Sequence, residues 1–301
     1  MFWLRQEMLA KCRAPPSLAW TLVEQMPALH LERELEEDEL VFNVLEAWGT
    51  NNTKNRLLFT SRPGRLELFR RPEKYLQPAA PGAACRSTSR SALLTEFFIH
   101  STGSVLTVKG PLWLKLEGKK AWKKQMFILT SSGIYSAPKE RKSFSKFATP
   151  PVCLVPFEAG HACCCYLGVG WKAKYKSPTD FCFAISKERW TIQGGSLVYF
   201  CTETEDSLRE WLTGVRLVQG RERLWSNFHR LLSDLKERSK SPPASRSVPA
   251  GCTGQAAAPL LPPTAYKATS QDIYSPSSES KSWDSGVCCI SEVRFTANCI
   301  F

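Results

Sequence analysis

Residues 112–130 read LWLKLEGKKAWKKQMFILT, and this stretch decides the fold class. Leu112 and Leu114 fall on alternate positions, as in a half-buried strand, and a glycine-lysine turn leads to a second strand that begins at Trp122. About eighty residues later, an amphipathic helix carries Trp211 on its apolar face. Short strands closed by one helix predict a small β-barrel that presents lysines, which favours a binding module over an enzyme.

The strand pattern continues beyond this hairpin. The further predicted strands are Gly133 to Ala137, Val152 to Phe157, Phe181 to Ile185 and Leu197 to Cys201. The closing helix is expected to stop at Gly220, and a second amphipathic helix is predicted from Arg221 to Glu237. These elements complete a barrel with helical segments at its carboxyl end.

The N-terminal part of the chain mixes helices and strands. The predicted elements are a helix over Met1 to Arg13, a strand over Leu18 to Met26, a helix over Asp38 to Trp48, and a hairpin of Arg56 to Arg62 with Arg65 to Phe69. Gln77 to Arg90 has the composition of a linker, and Ser91 to Ile99 is predicted as a short helix.

Composition sets the class of partner. The 301 residues carry a formal net charge of +12, which suits an anionic membrane, a nucleic acid or an acidic protein. Charge breaks the apolar run at the N terminus, and no stretch approaches the ~18 apolar residues of a membrane span. We therefore expect an intracellular protein whose 12 cysteines are reduced. Cys163, Cys164 and Cys165 with His161 lack the spacing of a zinc site, so no metal and no cofactor are predicted.

The barrel resembles a pleckstrin homology domain. The matching pieces are the strand pair around Leu112 to Lys115 and Trp122 to Leu129, the third strand at Ser132 to Tyr135, and Trp211 in the closing helix. The stretches Ser132 to Lys139 and Lys174 to Phe183 are similar to the lamellipodin/RIAM group of adaptors, and the related Grb adaptors share Pro178-Thr179-Asp180-Phe181. Upstream, Trp20 to Glu24, Leu31 to Arg33 and Glu36 to Glu39 are similar to the second half of that group's Ras-association domain.

The resemblance implies an α+β fold in five segments. They are a partial, ubiquitin-like Ras-association segment at 1–76, a linker with a short helix at 77–107, a pleckstrin homology β-barrel capped by a helix at 108–220, an amphipathic helix at 221–238, and a disordered tail at 239–301. The resemblance also implies a Ras- or Rap-type GTPase as partner, which in such domains pairs with the edge of the second strand. Met1 aligns with the first helix, so the first two strands are expected to be absent from this sequence.

The resemblance places a phosphoinositide site at the first hairpin. Such domains carry a lysine on strand one and a Lys-x-Arg on strand two, which correspond here to Lys115, Lys123 and Gln125. Glutamine can hydrogen-bond to phosphate, but it has neither the charge nor the planar fork of arginine. The candidate site residues are Lys115, Lys119, Lys120, Lys123, Lys124, Gln125 and Lys139. Each lysine near an anionic leaflet contributes on the order of 1 kcal/mol.

Two other readings of the basic residues stay open. A purely solvated face would bind no lipid and leave the domain a platform for other proteins. Trp171 to Lys176 interleaves aromatic residues with lysines, as a single-strand nucleic-acid binder does, but no RNA-binding signature accompanies it, so a strand with an exposed basic face is favoured. No nucleotide-binding loop or catalytic motif is present, and no catalytic residue is predicted.

The predicted function is a non-enzymatic signalling adaptor. It would be cytoplasmic and peripheral at the plasma membrane, held to the anionic inner leaflet or to a phosphoinositide, with a link to Ras-family GTPases and the actin cytoskeleton implied by the resemblance. The alternatives are a protein scaffold whose barrel binds no lipid and a basic nucleic-acid binder. In the tail, Pro259-Leu260-Leu261-Pro262 is a minimal SH3 ligand, which adds an SH3 domain to the expected partners.

Overall fold

The computed structural model describes most of the first 240 residues of the chain. The described residues are 1–48, 54–77, 89–100, 104–105, 108–116, 118, 121–136, 151–157, 163–186, 197–240 and 294–295. Their helices are α1 (Phe2–Lys11), α2 (Val41–Trp48), α3 (Glu67–Arg70), α4 (Arg90–Phe98), α5 (Trp171–Tyr175) and α6 (Glu205–Lys240). Their strands are β1 (Trp20–Met26), β2 (Leu31–Glu34), β3 (Arg56–Ser61), β4 (Leu76–Gln77), β5 (Ser104–Val105), β6 (Lys109–Lys115), β7 (Trp122–Thr130), β8 (Gly133–Ser136), β9 (Val152–Pro156), β10 (Cys165–Gly168), β11 (Cys182–Ser186), β12 (Leu197–Cys201) and β13 (Arg294–Phe295).

The N-terminal strands form an antiparallel sheet with β1 between β2 and β3. The sheet packs against α1 and α2 through a core in which Leu22, Leu35 and Phe59 are fully buried. Trp20 stacks on Phe59 with ring centroids 5.1 Å apart, which fixes the start of β1 against β3. This part of the chain is the ubiquitin-like segment.

The pleckstrin homology barrel runs from β6 to α6. Its core buries Leu112, Phe127, Phe183 and Phe200 completely, and Trp211 of α6 packs against them. The helix lies close to the barrel at Gly214, where an added Cβ would stand only 2.7 Å from Leu129. A larger residue there would require the side chains of Leu129 and Val108 to shift.

Pairing between β2 and β10 joins the two sheets edge to edge. Glu32 pairs with Leu167 and Leu31 with Gly168, so the ubiquitin-like strands and the barrel strands belong to one hydrogen-bonded sheet. The helix α6 adds a second link. Its carboxyl half packs in a core with α4 and α3, in which Phe69 stacks on Phe228 at 3.8 Å. The two domains therefore share both sheet and core.

The sequence correctly predicts the Ras-association-like segment, the barrel and the closing helix. Gly220 has non-helical backbone angles (φ −138°, ψ 30°), so the predicted stop is a kink inside α6, and the predicted second helix continues from it to Lys240. The predicted disordered tail lies mostly outside the described residues, but Arg294–Phe295 pairs with β3, a strand that the composition of the tail did not predict.

Two local predictions are wrong. The second arm of the hairpin, Arg65 to Phe69, is helical: a 3₁₀ turn at Pro63–Leu66 runs into α3. Helical spacing places Leu66 and Phe69 in the core shared with α6, which a strand would not do. The predicted strand at Trp171 to Lys176 is the short helix α5, and the sequence also gave no indication of β2 as a separate strand.

No helix among these described ranges is long and apolar enough to cross a bilayer.

Candidate functional site

The register of the first barrel hairpin sorts the predicted lysines onto two faces. Lys115 pairs with Trp122, and Trp113 pairs with Lys124. Leu114 pairs with Lys123, and Leu112 with Gln125, in the same register. Directly paired residues share a face of a sheet, and successive residues alternate. Lys115 and Lys124 therefore lie on the outer face, whereas Lys123 and Gln125 lie on the face that continues into the barrel core.

The outer face carries an aromatic cluster, which comprises Trp113, Trp122, Trp171, Tyr175 and Tyr199. The ammonium of Lys115 lies 5.5 Å from the ring centroid of Tyr175 and 5.4 Å from that of Tyr199. The ammonium of Lys124 lies 4.8 Å from the ring of Trp113. Each such contact stabilises by about 0.5–1 kcal/mol at an exposed site. Both lysines are thus positioned by rings of their own domain.

Lys124 is also neutralised by a carboxylate. Its ammonium forms an ion pair with Glu203, which immediately precedes the N-terminal cap of α6, and both side chains are about half exposed at 48%. Thr204 caps the helix by accepting a hydrogen bond from the backbone of Ser207, which places Glu203 one residue before the cap. An exposed pair of this kind stabilises by at most about 1 kcal/mol, and an anionic ligand can compete for the lysine.

Lys123 and Gln125 occupy the end of the barrel face. Lys123 is exposed and has no carboxylate within ion-pair distance among the described residues, whereas Gln125 is half-buried beside Leu112. The remaining predicted site residues, Lys119, Lys120 and Lys139, lie outside the described residues. Among the predicted site residues that the structure describes, Lys123 is consequently the lysine that is available to an incoming anion without competition.

The helix α5 covers the aromatic cluster and docks on the ubiquitin-like segment. The indole nitrogen of Trp171 donates to the carbonyl of His30 at 2.8 Å, and Lys174 donates to the carbonyl of Ala28 at 2.6 Å. Trp171 is almost completely buried, and the Tyr175 ring is covered by the ammonium groups of Lys115 and Lys174. Because these aromatic faces are occupied within the protein, they are not a platform for stacking bases.

A second group of charges lies where α6 meets the ubiquitin-like segment. This arginine–carboxylate cluster comprises Arg65, Arg216, Glu34, Glu36 and Glu37. Arg65 is buried and binds Glu37 through two donors, with N···O distances of 2.8 Å and 3.0 Å. Arg216 reaches from α6 to Glu36 at 2.7 Å. Unlike the exposed pair of Lys124 with Glu203, these ion pairs are buried or largely buried in the fold.

The pKa shifts in the arginine–carboxylate cluster reflect both burial and ion pairing. Burial alone would lower the pKa of Arg65, but the carboxylates of Glu37, Glu36 and Glu34 outweigh it and raise that pKa. Burial would raise the pKa of Glu36, yet Arg216 and Arg65 hold it below its usual value. For Glu37, burial wins and its pKa is raised. The cluster is therefore a structural joint whose charges compensate one another.

The three consecutive cysteines are poor metal ligands. Burial raises the pKa of Cys164 and of Cys165, so both thiols stay protonated near neutral pH. Within the ranges that the structure describes, no group of three His, Cys, Asp or Glu side chains is placed to hold a metal ion. A cavity of about 170 Å³ lies beside Cys163, Cys164 and Cys165, but its charged lining includes Arg65, Arg216 and Glu36, which already pair with one another.

The contacts that Trp113, Tyr199 and Glu203 make with the hairpin lysines were not predicted from the sequence. The pairing of Trp113 with Lys124 follows from the hairpin register and was available to sequence reasoning. The contacts of Tyr199 and Glu203 could not be predicted in this way, because both residues lie more than seventy positions from the lysines that they contact.

Residues 106–219 match the family model of the PH domain. The human "Ras-associated and pleckstrin homology domains-containing protein 1" is 32% identical over 225 residues, which is 75% of this chain and 17% of that protein. The chicken "Amyloid beta A4 precursor protein-binding family B member 1-interacting protein" is 32% identical over 224 residues, 73% of this chain and 45% of the relative. The crystal structure of the coiled-coil, RA and PH domains of lamellipodin superposes with a TM-score of 0.64 at 30% identity, covering 77% of this chain and 83% of that one.

The chain belongs to the lamellipodin/RIAM group of Ras-association and pleckstrin homology adaptors. It spans less than half the length of the two curated relatives. Cattle "Growth factor receptor-bound protein 14" is 30% identical over 70% of the chain, in line with the predicted relation to the Grb adaptors. Family membership supports a signalling-adaptor role for this member of the lamellipodin/RIAM group.

Proposed function

We propose that this adaptor is recruited from the cytoplasm to the anionic inner leaflet of the plasma membrane by the lysines of the β6–β7 hairpin. The observation that carries the proposal is Lys123, which is exposed, unpaired among the described residues and at the open end of the barrel face beside Gln125. Lys119 and Lys120 belong to the same short connection in the sequence. Together with Lys115 and Lys124 they concentrate positive charge at one end of the domain.

The strength expected of this contact is moderate. About 1 kcal/mol per lysine, summed over three to five lysines, gives reversible binding rather than permanent anchoring. Gln125 offers a phosphate hydrogen bonds without charge, so selectivity for one headgroup is expected to be weaker than with an arginine at that position.

The experiment that tests this function is co-sedimentation of the full chain with vesicles near physiological salt. The full chain is needed because the carboxyl half of α6 packs in one core with α3 and α4, so a barrel fragment would expose that core. Vesicles of phosphatidylserine are compared with vesicles that carry a single phosphoinositide at matched total charge. Preference for one phosphoinositide indicates a headgroup site, and binding that follows charge alone indicates an electrostatic tether.

The charge-reversal variant Lys119→Glu/Lys120→Glu sharpens this test. The two substitutions are expected to abolish vesicle binding, because they replace two attractions with two repulsions at the hairpin. Unchanged sedimentation of this variant would rule out the hairpin as the membrane contact. A matched control is Lys236→Glu/Lys240→Glu on the exposed end of α6, which alters net charge equally.

We further propose that the ubiquitin-like segment links the adaptor to a Ras- or Rap-type GTPase and through it to the actin cytoskeleton. Support comes from family membership and from the domain order of the relatives, one of which is named for Ras association. Pull-down by a GTPase loaded with a GTP analogue, compared with the GDP-bound form, tests this link. Equal or absent retention of both forms would contradict it. The Pro259–Pro262 stretch is proposed as an SH3 ligand on sequence grounds alone.

A protein scaffold whose barrel binds no lipid is the second candidate. Three observations favour it: Gln125 replaces an arginine, Glu203 neutralises Lys124, and two tyrosine rings hold Lys115. This candidate predicts that the chain does not sediment with vesicles of any composition. It also predicts that the chain still binds a protein partner.

A further inference from the structure

Two cysteines face each other across neighbouring barrel strands. Cys182 of β11 is paired with Cys201 of β12, and both side chains are essentially inaccessible to solvent. They lie on the outer face of the sheet, within the cluster that contains Trp171 and Tyr166. Neither takes part in the lysine hairpin or in the arginine–carboxylate cluster.

The ladder geometry brings their side chains unusually close. Thr202 donates a backbone hydrogen bond to the carbonyl of Phe181 at 2.8 Å, so Phe181 and Thr202 are a hydrogen-bonded pair. In an antiparallel ladder the two kinds of pair alternate, which makes Cys182 and Cys201 a non-hydrogen-bonded pair with Cα atoms ~4.5 Å apart. That separation lies within the range of about 4.4–6.8 Å that a disulfide spans.

Thr179 lies within hydrogen-bond distance of both sulfur atoms. The carbonyl oxygen of Thr179 lies 3.3 Å from Sγ of Cys182 and 3.8 Å from Sγ of Cys201, and the Thr179 hydroxyl lies 3.1 Å from Sγ of Cys201. A hydrogen bond from the Cys182 thiol, followed by that of the Thr179 hydroxyl, lowers the pKa of Cys201, although burial opposes the shift. The same interaction raises the pKa of Cys182. Cys201 is therefore the better nucleophile and Cys182 the proton-bearing partner.

We propose that Cys182 and Cys201 are an oxidisable dithiol that hydrogen peroxide converts into a cross-strand disulfide. The Cys201 thiolate attacks one peroxide oxygen, the O–O bond breaks, and Cys201 becomes a sulfenic acid while the released hydroxide takes up a proton to form water. Sγ of Cys182 then attacks the Cys201 sulfur, its proton leaves with the hydroxyl group as a second water, and the S–S bond forms. Two thiols are oxidised and one molecule of hydrogen peroxide is reduced.

The cover over the pair limits which oxidants reach it. The loop Pro178–Asp180 lies directly above the sulfur atoms, with Pro178 and Asp180 exposed and Thr179 partly buried. Because this loop covers the pair, we expect hydrogen peroxide to reach the sulfur atoms more readily than a bulky aromatic disulfide reagent. By contrast, Cys153 on β9 is exposed and is open to both reagents.

Oxidation would tie β11 to β12 on the outer face of the barrel. Cys201 also pairs with Trp113 of β6, the residue over which the Lys124 ammonium lies. The bridge closes the loop between β11 and β12 and restricts the unfolded chain, so it is expected to raise the thermal unfolding midpoint. A reductant reverses both effects.

Peptide mapping of the full chain after hydrogen peroxide treatment tests the proposal. Trypsin releases residues 177–187 and 190–209, each with a single cysteine, so a bridge joins two otherwise separate peptides. After alkylation of the remaining thiols in denaturant, the expected product is this joined pair, lighter by two hydrogen atoms than the sum and split by reductant. It is expected in Cys153→Ser as in the natural sequence, and to be missing in Cys182→Ser.

Two results would overturn the proposal. One is oxidation of Cys201 to sulfinic or sulfonic acid without the joined peptide, which would show that Cys182 does not reach it. The other is a joined peptide that forms as fast with the bulky aromatic disulfide as with peroxide, or only in denaturant, which would show that the folded pair is not the reacting species. Both results are read on the natural sequence, so they hold even where Cys182→Ser fails to fold.

Discussion

The arginines at the domain junction and the lysines of the β6–β7 hairpin carry the same charge but are placed in opposite ways. Arg65 is buried against Glu37, with Glu36 and Glu34 nearby, and Arg216 ties α6 to the same carboxylates. Lys123 is exposed and unpaired among the described residues, and Lys124 has one half-exposed partner. Charge that the fold compensates stabilises the structure, whereas charge that it leaves open is available to a ligand. The net charge of +12 does not separate the two.

The largest effect on stability is expected for the buried arginine, Arg65. Arg65→Met is expected to lower the free energy of unfolding by about 3–5 kcal/mol, because it leaves the buried Glu37 carboxylate without its cation. Urea denaturation of the full chain measures the change, with the exposed Lys236→Met as the matched control. A loss below about 1 kcal/mol would mean that the cluster does not hold the domains together.

An intermediate effect is expected where α6 meets the cluster. Arg216 and Glu36 are each about one quarter exposed, so their pair is expected to couple by roughly 1 kcal/mol. A double-mutant cycle of Arg216→Ala and Glu36→Ala, read by urea denaturation, isolates that term. A coupling energy near zero would assign the α6 contact to the apolar core around Phe69 and Phe228 alone.

The smallest effect is expected at the exposed ion pair of Lys124 with Glu203. Glu203→Gln frees Lys124 and removes a negative charge, so binding to anionic vesicles is expected to tighten by roughly fivefold, equivalent to about 1 kcal/mol. The free energy of unfolding should change by less than about 1 kcal/mol, since an exposed ion pair contributes little. Weaker vesicle binding by Glu203→Gln would contradict the assignment of Lys124 to the membrane face. Glu237→Gln, on the exposed end of α6, is the control for charge alone.

Local patterns predicted the parts of this comparison that depend on neighbouring residues. The β6–β7 hairpin and its lysines follow from alternation and a glycine turn, and Trp211 follows from helical spacing. The division of Lys115 and Lys123 between two faces was also implicit in that alternation. The sequence resemblance correctly identified the group of adaptors.

Contacts between distant segments were beyond such patterns. The strand β10 is only four residues long, and its pairing with β2 depends on the docking of two domains. The short helix α5 is tied to the ubiquitin-like segment by the hydrogen bond from Trp171 to the carbonyl of His30, a contact across more than a hundred residues. The segment that begins at Arg65 was wrongly predicted as a strand. Its neighbours in the sequence do not reveal that Arg65 will lie beside Glu37 and Arg216.

Vesicle co-sedimentation of the full chain with Lys123→Glu, beside Lys236→Glu as a matched control, tests the central claim most directly. Both lysines are exposed and both substitutions change net charge equally, but only Lys123 lies on the hairpin. We expect Lys123→Glu to weaken binding to anionic vesicles by about thirtyfold, from the loss of one attraction and the gain of one repulsion, about 2 kcal/mol in all. Lys236→Glu should leave binding within about twofold, because Lys236 lies on the carboxyl half of α6 and not on the hairpin. Equal weakening by the two variants would contradict the account and leave only a nonspecific effect of net charge.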